Sequence, residues 1–598
     1  MAATDFRIAD AVFRSPPFLQ TSGHIVALRT EGMADIILTG GRVFGSEAAD
    51  TIALRGDRVL AVGSAREVWA DVGHDAEVIG THGRLVMPGF QDAHVHPLAA
   101  GLLESWCDLR DAVDAVDALE RIQAYARQHT DLGWIVGGGA NSAFFSGSTP
   151  AVDLLDKVVR DRPVYLLGSD LHDAWVNSTA LTRAGIGTHT PDPPFGTIVR
   201  DHRGRPTGLL HEAAAALVGR HIPVPDRAAL ENALLTAQSI LHRHGLTAWQ
   251  DALVGPYLGL PDPLPAYVAL AGRGELTGAV SLALWWDPGR GLEQVDELCA
   301  RREQARAVGL PADHVKIMQD GICENGWAAL LSPYLDRSVT PPGKLHPAQL
   351  REAVSALVRA DFSVHFHAVG DRAVRECLDA VQAAGRSFER RHHIAHVQLV
   401  ADADLPRFAE LDVTANVQPL WAAEIPHMRE TYEPMLGTRR VDSQYQFASL
   451  ARAGTRLAAG SDWPVSSPNP LWGAYVAVTR LPALASAPWL GPGYSPDPLN
   501  PDERIGMPDI LRAFTTGTGH LHQHPATLTP GAPADVVVLD LDVLREGPDA
   551  LCEAQVDLTI AAGQCVYDRL QVFEAEPVAG LGGSRTHAAA LSSGGPTE

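Results

Sequence analysis

Two histidines separated by one residue, His94 and His96 in Gly89-Phe90-Gln91-Asp92-Ala93-His94-Val95-His96-Pro97, have a type and spacing that can do chemistry. On a strand, positions i and i+2 point to the same side, so two imidazoles at a strand end can ligate one metal ion. An isolated pair is more often a polar, solvated face. The setting favours a metal: Val86-Met87-Pro88-Gly89-Phe90 is an apolar approach ending in a Pro-Gly turn, and Pro97 stops the strand just after the pair.

Further candidates follow downstream. Lys316 sits inside the apolar run Val315-Lys316-Ile317-Met318. Burial disfavours an ammonium and drives its pKa down. A neutral amine can capture carbon dioxide, and the resulting carbamate can bridge two metals. The alternative is a packed stem with its ammonium in water. His365 and His367 form a second same-face pair, His396 lies in Ile394-Ala395-His396, and Asp462 follows the apolar run Leu457-Ala458-Ala459-Gly460-Ser461. Each has a structural explanation of its own. Together they share a placement at the C-terminal ends of candidate strands, which in a barrel converge on one face.

The elements that must position them alternate helix with strand. Helical periodicity over 228–244, 347–360 and 403–410 is followed each time by a strand-like step, at 245–251, 363–367 and 412–416. Repeated units of this kind predict a parallel α/β architecture, and a (β/α)8 barrel suits the length. Short β-like runs with Gly turns at Ile36–Leu38, Arg42–Phe44, Thr51–Leu54 and Arg58–Val62 read as a small antiparallel sheet. A similar cluster spans Ala534–Asp540 and Leu558–Tyr567. The expected organisation is an N-terminal extension (1–33), a composite β-sandwich from both termini (34–86 and 525–575) and a barrel (87–524). The barrel carries an insertion around 130–226, and 576–598 is a tail expected to be disordered.

The 598 residues are 46% hydrophobic and 20% charged, an ordinary globular balance, with a formal net charge of −23. That charge disfavours nucleic acid and anionic membranes as partners. Six scattered cysteines form no CxxC pair, so neither a disulfide framework nor a zinc ribbon is expected. The first thirty residues lack an apolar signal-peptide core, and no uncharged run reaches the ~18 residues of a membrane span. A cytoplasmic protein acting on a small molecule is the expectation. A homodimer is simply the commonest assembly.

The ordered set HxH, strand lysine, His, His and Gly-Ser-Asp resembles the amidohydrolase superfamily, and more narrowly its YtcJ-like (amidohydrolase 3) branch, which includes N-substituted formamide deformylases. The resemblance rests on Met87–Pro97, on His172-Asp173-Ala174-Trp175-Val176-Asn177-Ser178, on Val315–Gly321, on His367-Ala368-Val369-Gly370-Asp371 and on Gly460–Val465, and covers about 34–570. It implies a distorted (β/α)8 TIM barrel with a small β-sandwich domain. It implies His94, His96, Lys316 as a carbamate, His367, His396 and Asp462 as the metal ligands, with His365 behind them and His172 on a substrate-facing loop. Two departures stand out: Ala395 where relatives carry glutamate, and Met318-Gln319 where relatives often read Phe-Ala.

The expected reaction is hydrolysis of an amide, formamide or cyclic amide C–N bond by metal-activated hydroxide. Asp462 would shuttle the proton and His172 would stabilise the oxyanion. Two zinc ions are the default, with Mn, Fe or Co also suited to the ligands. The rivals are a decarboxylase or isomerase on the same scaffold, a mononuclear site with unmodified Lys316, and a non-catalytic binding protein. Trp421, Trp463 and Trp472 are expected near the pocket, although a single tryptophan is more often core.

Overall fold

The computed structural model describes residues 36–72, 76–141, 144, 151–385, 389–487, 490 and 494–572. The expected N-terminal extension and C-terminal tail lie outside these residues.

Eight parallel strands form the centre: β1 (Phe90–Val95), β2 (Leu246–Val254), β3 (Ala279–Trp285), β4 (His314–Met318), β5 (Ser363–Ala368), β6 (His393–His396), β7 (Thr414–Val417) and β8 (Leu457–Ala459). Each pairs with its neighbour in sequence order, and β1 pairs with β2. The strands are buried on both faces, as parallel strands covered by helices must be. Within β4 and β5, Val315, Ile317, Val364 and Phe366 join the apolar core. The alternate positions Lys316 and His365 meet each other and His94 inside the barrel. The strand period of two thus separates packing from chemistry.

Helix 347–359 shows how the outer layer is specified. Pro347 occupies its first turn, the His346 ring accepts from the Ala348 N–H, and Leu350, Ala353, Val354 and Leu357 fall on one buried stripe. The large members of such a stripe contribute about 1.5–3 kcal/mol each on burial.

β1 and β8 share no regular ladder. They are joined instead by Asp462 N–H to His94 O (2.7 Å), His96 N–H to Trp463 O (2.8 Å) and Ser461 N–H to Asp92 Oδ1 (3.0 Å). The barrel is therefore distorted at the seam that carries three of the candidate ligands.

Strands from both ends of the chain form two further sheets. In one, Ile36–Thr39 pairs antiparallel with Thr51–Arg55 and parallel with Glu77–Gly80. In the other, Leu85–Pro88 pairs with Val536–Leu539, which continues to Val556–Ala561 and Gln564–Asp568. The N-terminal strands are thus not purely antiparallel: a helix at Ala65–Asp71 precedes Glu77–Gly80, which joins the far edge. Leu38, Ile52 and Val59 share one apolar cluster with Val86, Val538 and Ile560.

A separate six-stranded sheet takes its strands from Cys107 to Glu212. In it Asp173 lies opposite His211, which places His172 and Glu212 beside each other. Among the described residues, no helix is long and apolar enough to cross a membrane.

Candidate metal centre

The residues singled out in the sequence meet at one end of the barrel. His94 and His96 come from the end of β1, Lys316 from β4, His367 from β5, His396 from the last position of β6 and Asp462 from the turn after β8. All six line one small cavity together with His172. Asp462 Oδ1 lies 3.3 Å from His94 Nε2 and 3.1 Å from His96 Nε2. The ligand atoms of His94, His396 and Asp462 lie within 4.8 Å of one another.

The donor set fits a divalent metal. Both ring nitrogens of His396 are buried without a hydrogen-bond partner, which is costly for a polar group unless something else occupies it. Its ring stacks parallel on Trp421, with centroids 5.2 Å apart. Gln418 Oε1 accepts from the His396 backbone N–H at 2.8 Å. His396, Val397 and Asp462 have positive φ values of 77°, 40° and 57°. Such backbone costs about 1–3 kcal/mol per residue and clusters at functional sites.

Neighbouring groups fix which nitrogen each ring presents. Gln250 Oε1 can only accept, so His365 Nδ1, 2.8 Å away, donates to it. The unprotonated His365 Nε2 then accepts from His94 Nδ1 at 3.0 Å. That leaves the lone pair of His94 Nε2 facing Asp462 and Lys316. In the same way Asp320 Oδ1, 3.3 Å from His367 Nδ1, directs His367 Nε2 to the opposite side. Asp320 is itself held by the N–H groups of Ala329, Val369 and Gly370. Holding the distal nitrogen of a ligating imidazole in this manner is the usual support for a metal site.

Burial dominates the electrostatics. It pushes His94, His365, His367 and His396 well below the usual imidazole range, so all four are neutral. Lys316, 1% exposed, is brought down to about 7 by desolvation, partly countered by Asp462 and Asp251. Its Nζ lies 3.4 Å from both His94 Nε2 and His365 Nε2. Burial likewise raises Asp92 to about 7, against the hydrogen bonds it accepts from Ser461 and the His94 N–H.

Residues that the sequence pattern did not single out complete the surroundings. Asp92, Gln250 and Asp320 lie within or beside the motifs, but their types have no distinctive spacing. Glu212 and Lys344 come from remote segments. Glu212 Oε1 is 2.9 Å from His172 Nδ1, and Lys344 Nζ is 2.7 Å from Glu212 Oε2. Burial alone would raise the Glu212 carboxyl; Lys344 and His172 outweigh it and hold the group well below the carboxylate range.

The cavity over the candidate ligands shares His172, His367, His396 and Asp462 with a larger one of about 640 Å³, which Trp421, Trp463, Trp472, Tyr432 and Tyr445 also line. All three tryptophans expected near the pocket therefore lie on its wall.

The amidohydrolase family model matches residues 77–567. The chain is 31% identical to Protein LONG AFTER FAR-RED 3 of Arabidopsis thaliana, over 90% of this chain and 92% of that protein. It is 25% identical to the N-substituted formamide deformylase of Arthrobacter pascens, over 90% and 99%. A metal-dependent hydrolase of Pyrococcus furiosus shares the fold with a TM-score of 0.63 at 24% identity, covering 86% of this chain and 100% of that one. With the barrel, the candidate ligands at its strand ends and these likenesses in place, the chain belongs to the amidohydrolase family.

Proposed function

We propose that this enzyme hydrolyses the C–N bond of a small amide, formamide or cyclic amide. The observation that carries the reading is the convergence of His94, His96, His367 and His396, a buried lysine and Asp462 on one cavity. Within it, the nitrogens of His396 have no partner of their own. The relative named as an N-substituted formamide deformylase supports the bond type.

In this reading His94, His96, carboxylated Lys316, His367, His396 and Asp462 hold the metal, with two zinc ions the leading choice for imidazole and carboxylate ligands. When bound, a divalent metal here supplies Lewis acidity and an acidic water near neutral pH. Asp462 accepts a proton at its carboxylate and passes it to the departing nitrogen. His172, on the cavity wall, offers its ring to the carbonyl oxygen. The tryptophan and tyrosine wall takes the larger substituent and keeps bulk water from the reacting bond. The six cysteines are all free, which supports a reducing cytoplasm as the setting.

The test is a hydrolysis screen of N-formyl, N-acyl and cyclic-amide compounds with metal content and product identity recorded alongside. K316A should lose bound metal and activity together. Unchanged metal and turnover in K316A would remove the lysine from the centre, and products retaining the C–N bond would overturn the hydrolase reading.

A further inference from the structure

The network behind His172 is built from three segments outside the barrel strands. His172 precedes the strand Asp173–Val176, Glu212 ends the strand Pro206–Glu212, and Lys344 lies in the long connection after β4. Both carboxylate oxygens are engaged. Oε1 accepts from His172 Nδ1 at 2.9 Å and from Asn325 Nδ2 at 3.3 Å, and Oε2 accepts from Lys344 Nζ at 2.7 Å. Glu212 is 1% exposed.

The fold accommodates this carboxylate at a cost. Glu212 adopts φ 51°, ψ −128°, a region that non-glycine residues avoid at about 1–3 kcal/mol. Its Oε1 rests against Gly321, where a Cβ would stand only 2.2 Å away. A buried lysine–glutamate pair is also a poor source of stability, because apolar residues of similar volume usually serve as well or better. Strain, a glycine-shaped recess and a desolvated ion pair in one place are hard to account for by packing alone. They are accounted for if the carboxylate acts on what it touches.

What it touches is an imidazole on the wall of both cavities, with its ring 5.2 Å from that of His367. A carboxylate only accepts, so Nδ1 carries a hydrogen and the ring is fixed along that bond. Nε2, on the opposite edge, is then turned away from the network. We propose that Glu212 is a positioning residue for the reaction: it grips His172 from behind so that Nε2 faces the substrate, and Lys344 locks the carboxylate in that orientation. This rests on the hydrolase reading of the same site. It also gives the six-stranded sheet a role, because that sheet supplies both His172 and its holder. Gly321 follows Asp320, the support of His367, so one short segment after β4 accommodates both networks.

The test compares H172A, E212A and the double variant on the best substrate from the screen. Each single variant should lower kcat about 10–100-fold, with KM within about three-fold and metal content unchanged. The double variant should be no more than about two-fold worse than H172A, because Glu212 acts through His172. E212Q keeps the volume and one accepting oxygen for His172 but loses the anchor to Lys344, so it should recover only part of kcat; if E212A does not fold, E212L, which fills the same volume without an acceptor, stands in for it in the comparison. Multiplicative losses in the double variant, or wild-type kcat in E212A, would overturn the proposal. Crystal structures of the variants give a readout independent of turnover: the His172 ring should rotate away from the cavity in E212A, and an unmoved ring would refute the positioning role. If the wild-type enzyme cleaves no C–N bond, the hydrolase reading falls, while ring orientation in the E212A crystal still decides the part played by Glu212.

Discussion

Gly460 holds the barrel seam closed, and replacing it with alanine should disable the centre without removing any candidate ligand side chain. A Cβ at this position would stand 2.6 Å from the His94 backbone nitrogen, 2.8 Å from the His94 Cβ and 3.0 Å from Asp92 Oδ1. Ordinary carbon contacts need about 3.5 Å, so β1 and β8 must part by roughly 0.7–0.9 Å. Neither side yields easily: Gly460 N–H is bonded to Val417 O at 3.0 Å, and Asp462 N–H to His94 O at 2.7 Å. The displacement falls on the strands that carry His94, His96 and Asp462. Misplacement of about 1 Å in a catalytic constellation costs on the order of 10²-fold in rate, and overpacking a filled interior costs about 1–3 kcal/mol. G460A should therefore lose about 10²-fold in kcat, bind metal more weakly and unfold at lower urea. G187A is the control, because a Cβ there meets nothing within 4 Å and its φ is unexceptional. The assays are steady-state kinetics, elemental analysis of dialysed protein and urea unfolding. A G460A enzyme with the kcat and metal content of G187A would refute the claim that the β1–β8 seam sets ligand spacing.

Other outcomes follow from the same structure. D462N should retain most bound metal and lose most turnover, about 10²–10⁴-fold for a proton-transfer group; near-normal kcat would remove Asp462 from that role. Stability should fall as pH drops from about 6.5 towards 4. Burial lowers His242 and His314 to about 4 and His392 and His522 to about 3. The unfolded chain therefore takes up protons that the fold refuses, and these four histidines together with His94, His365, His367, His393 and His396 outnumber the buried Asp92, Asp170 and Asp320, which burial raises to about 7 and which titrate in the opposite sense. Each such histidine contributes up to about 2 kcal/mol of lost stability by pH 5, and a urea midpoint equal at pH 7.5 and 5 would contradict this. Arg480 is fully buried and donates to the carbonyls of Leu499, Tyr445 and Gln444 at 2.8–3.2 Å. R480A should cost about 3–5 kcal/mol by leaving these acceptors unpaired, read from chemical denaturation; a loss below about 1 kcal/mol would show that the carbonyls find other donors.

The sequence by itself determined the local elements and the ligand types. Strand period two placed His94 with His96 and His365 with His367, and the helix-then-strand rhythm at 228–251 and 347–367 announced the barrel, because burial patterns repeat with backbone geometry. The family resemblance then chose His367 over His365, a choice that spacing alone left open, since both rings share one side of β5. Only the tertiary structure showed why the two differ: Gln250 lies behind one ring and Asp320 behind the other, from strands and loops far away in sequence. Glu212 and Lys344 were illegible for the same reason. They are 132 residues apart, have no periodicity, and meet only because the six-stranded sheet folds against the connection after β4. A side chain's type and phase are local properties, written in the chain. Which nitrogen of an imidazole is free to act depends on the partner at its other edge, and that partner is decided by packing.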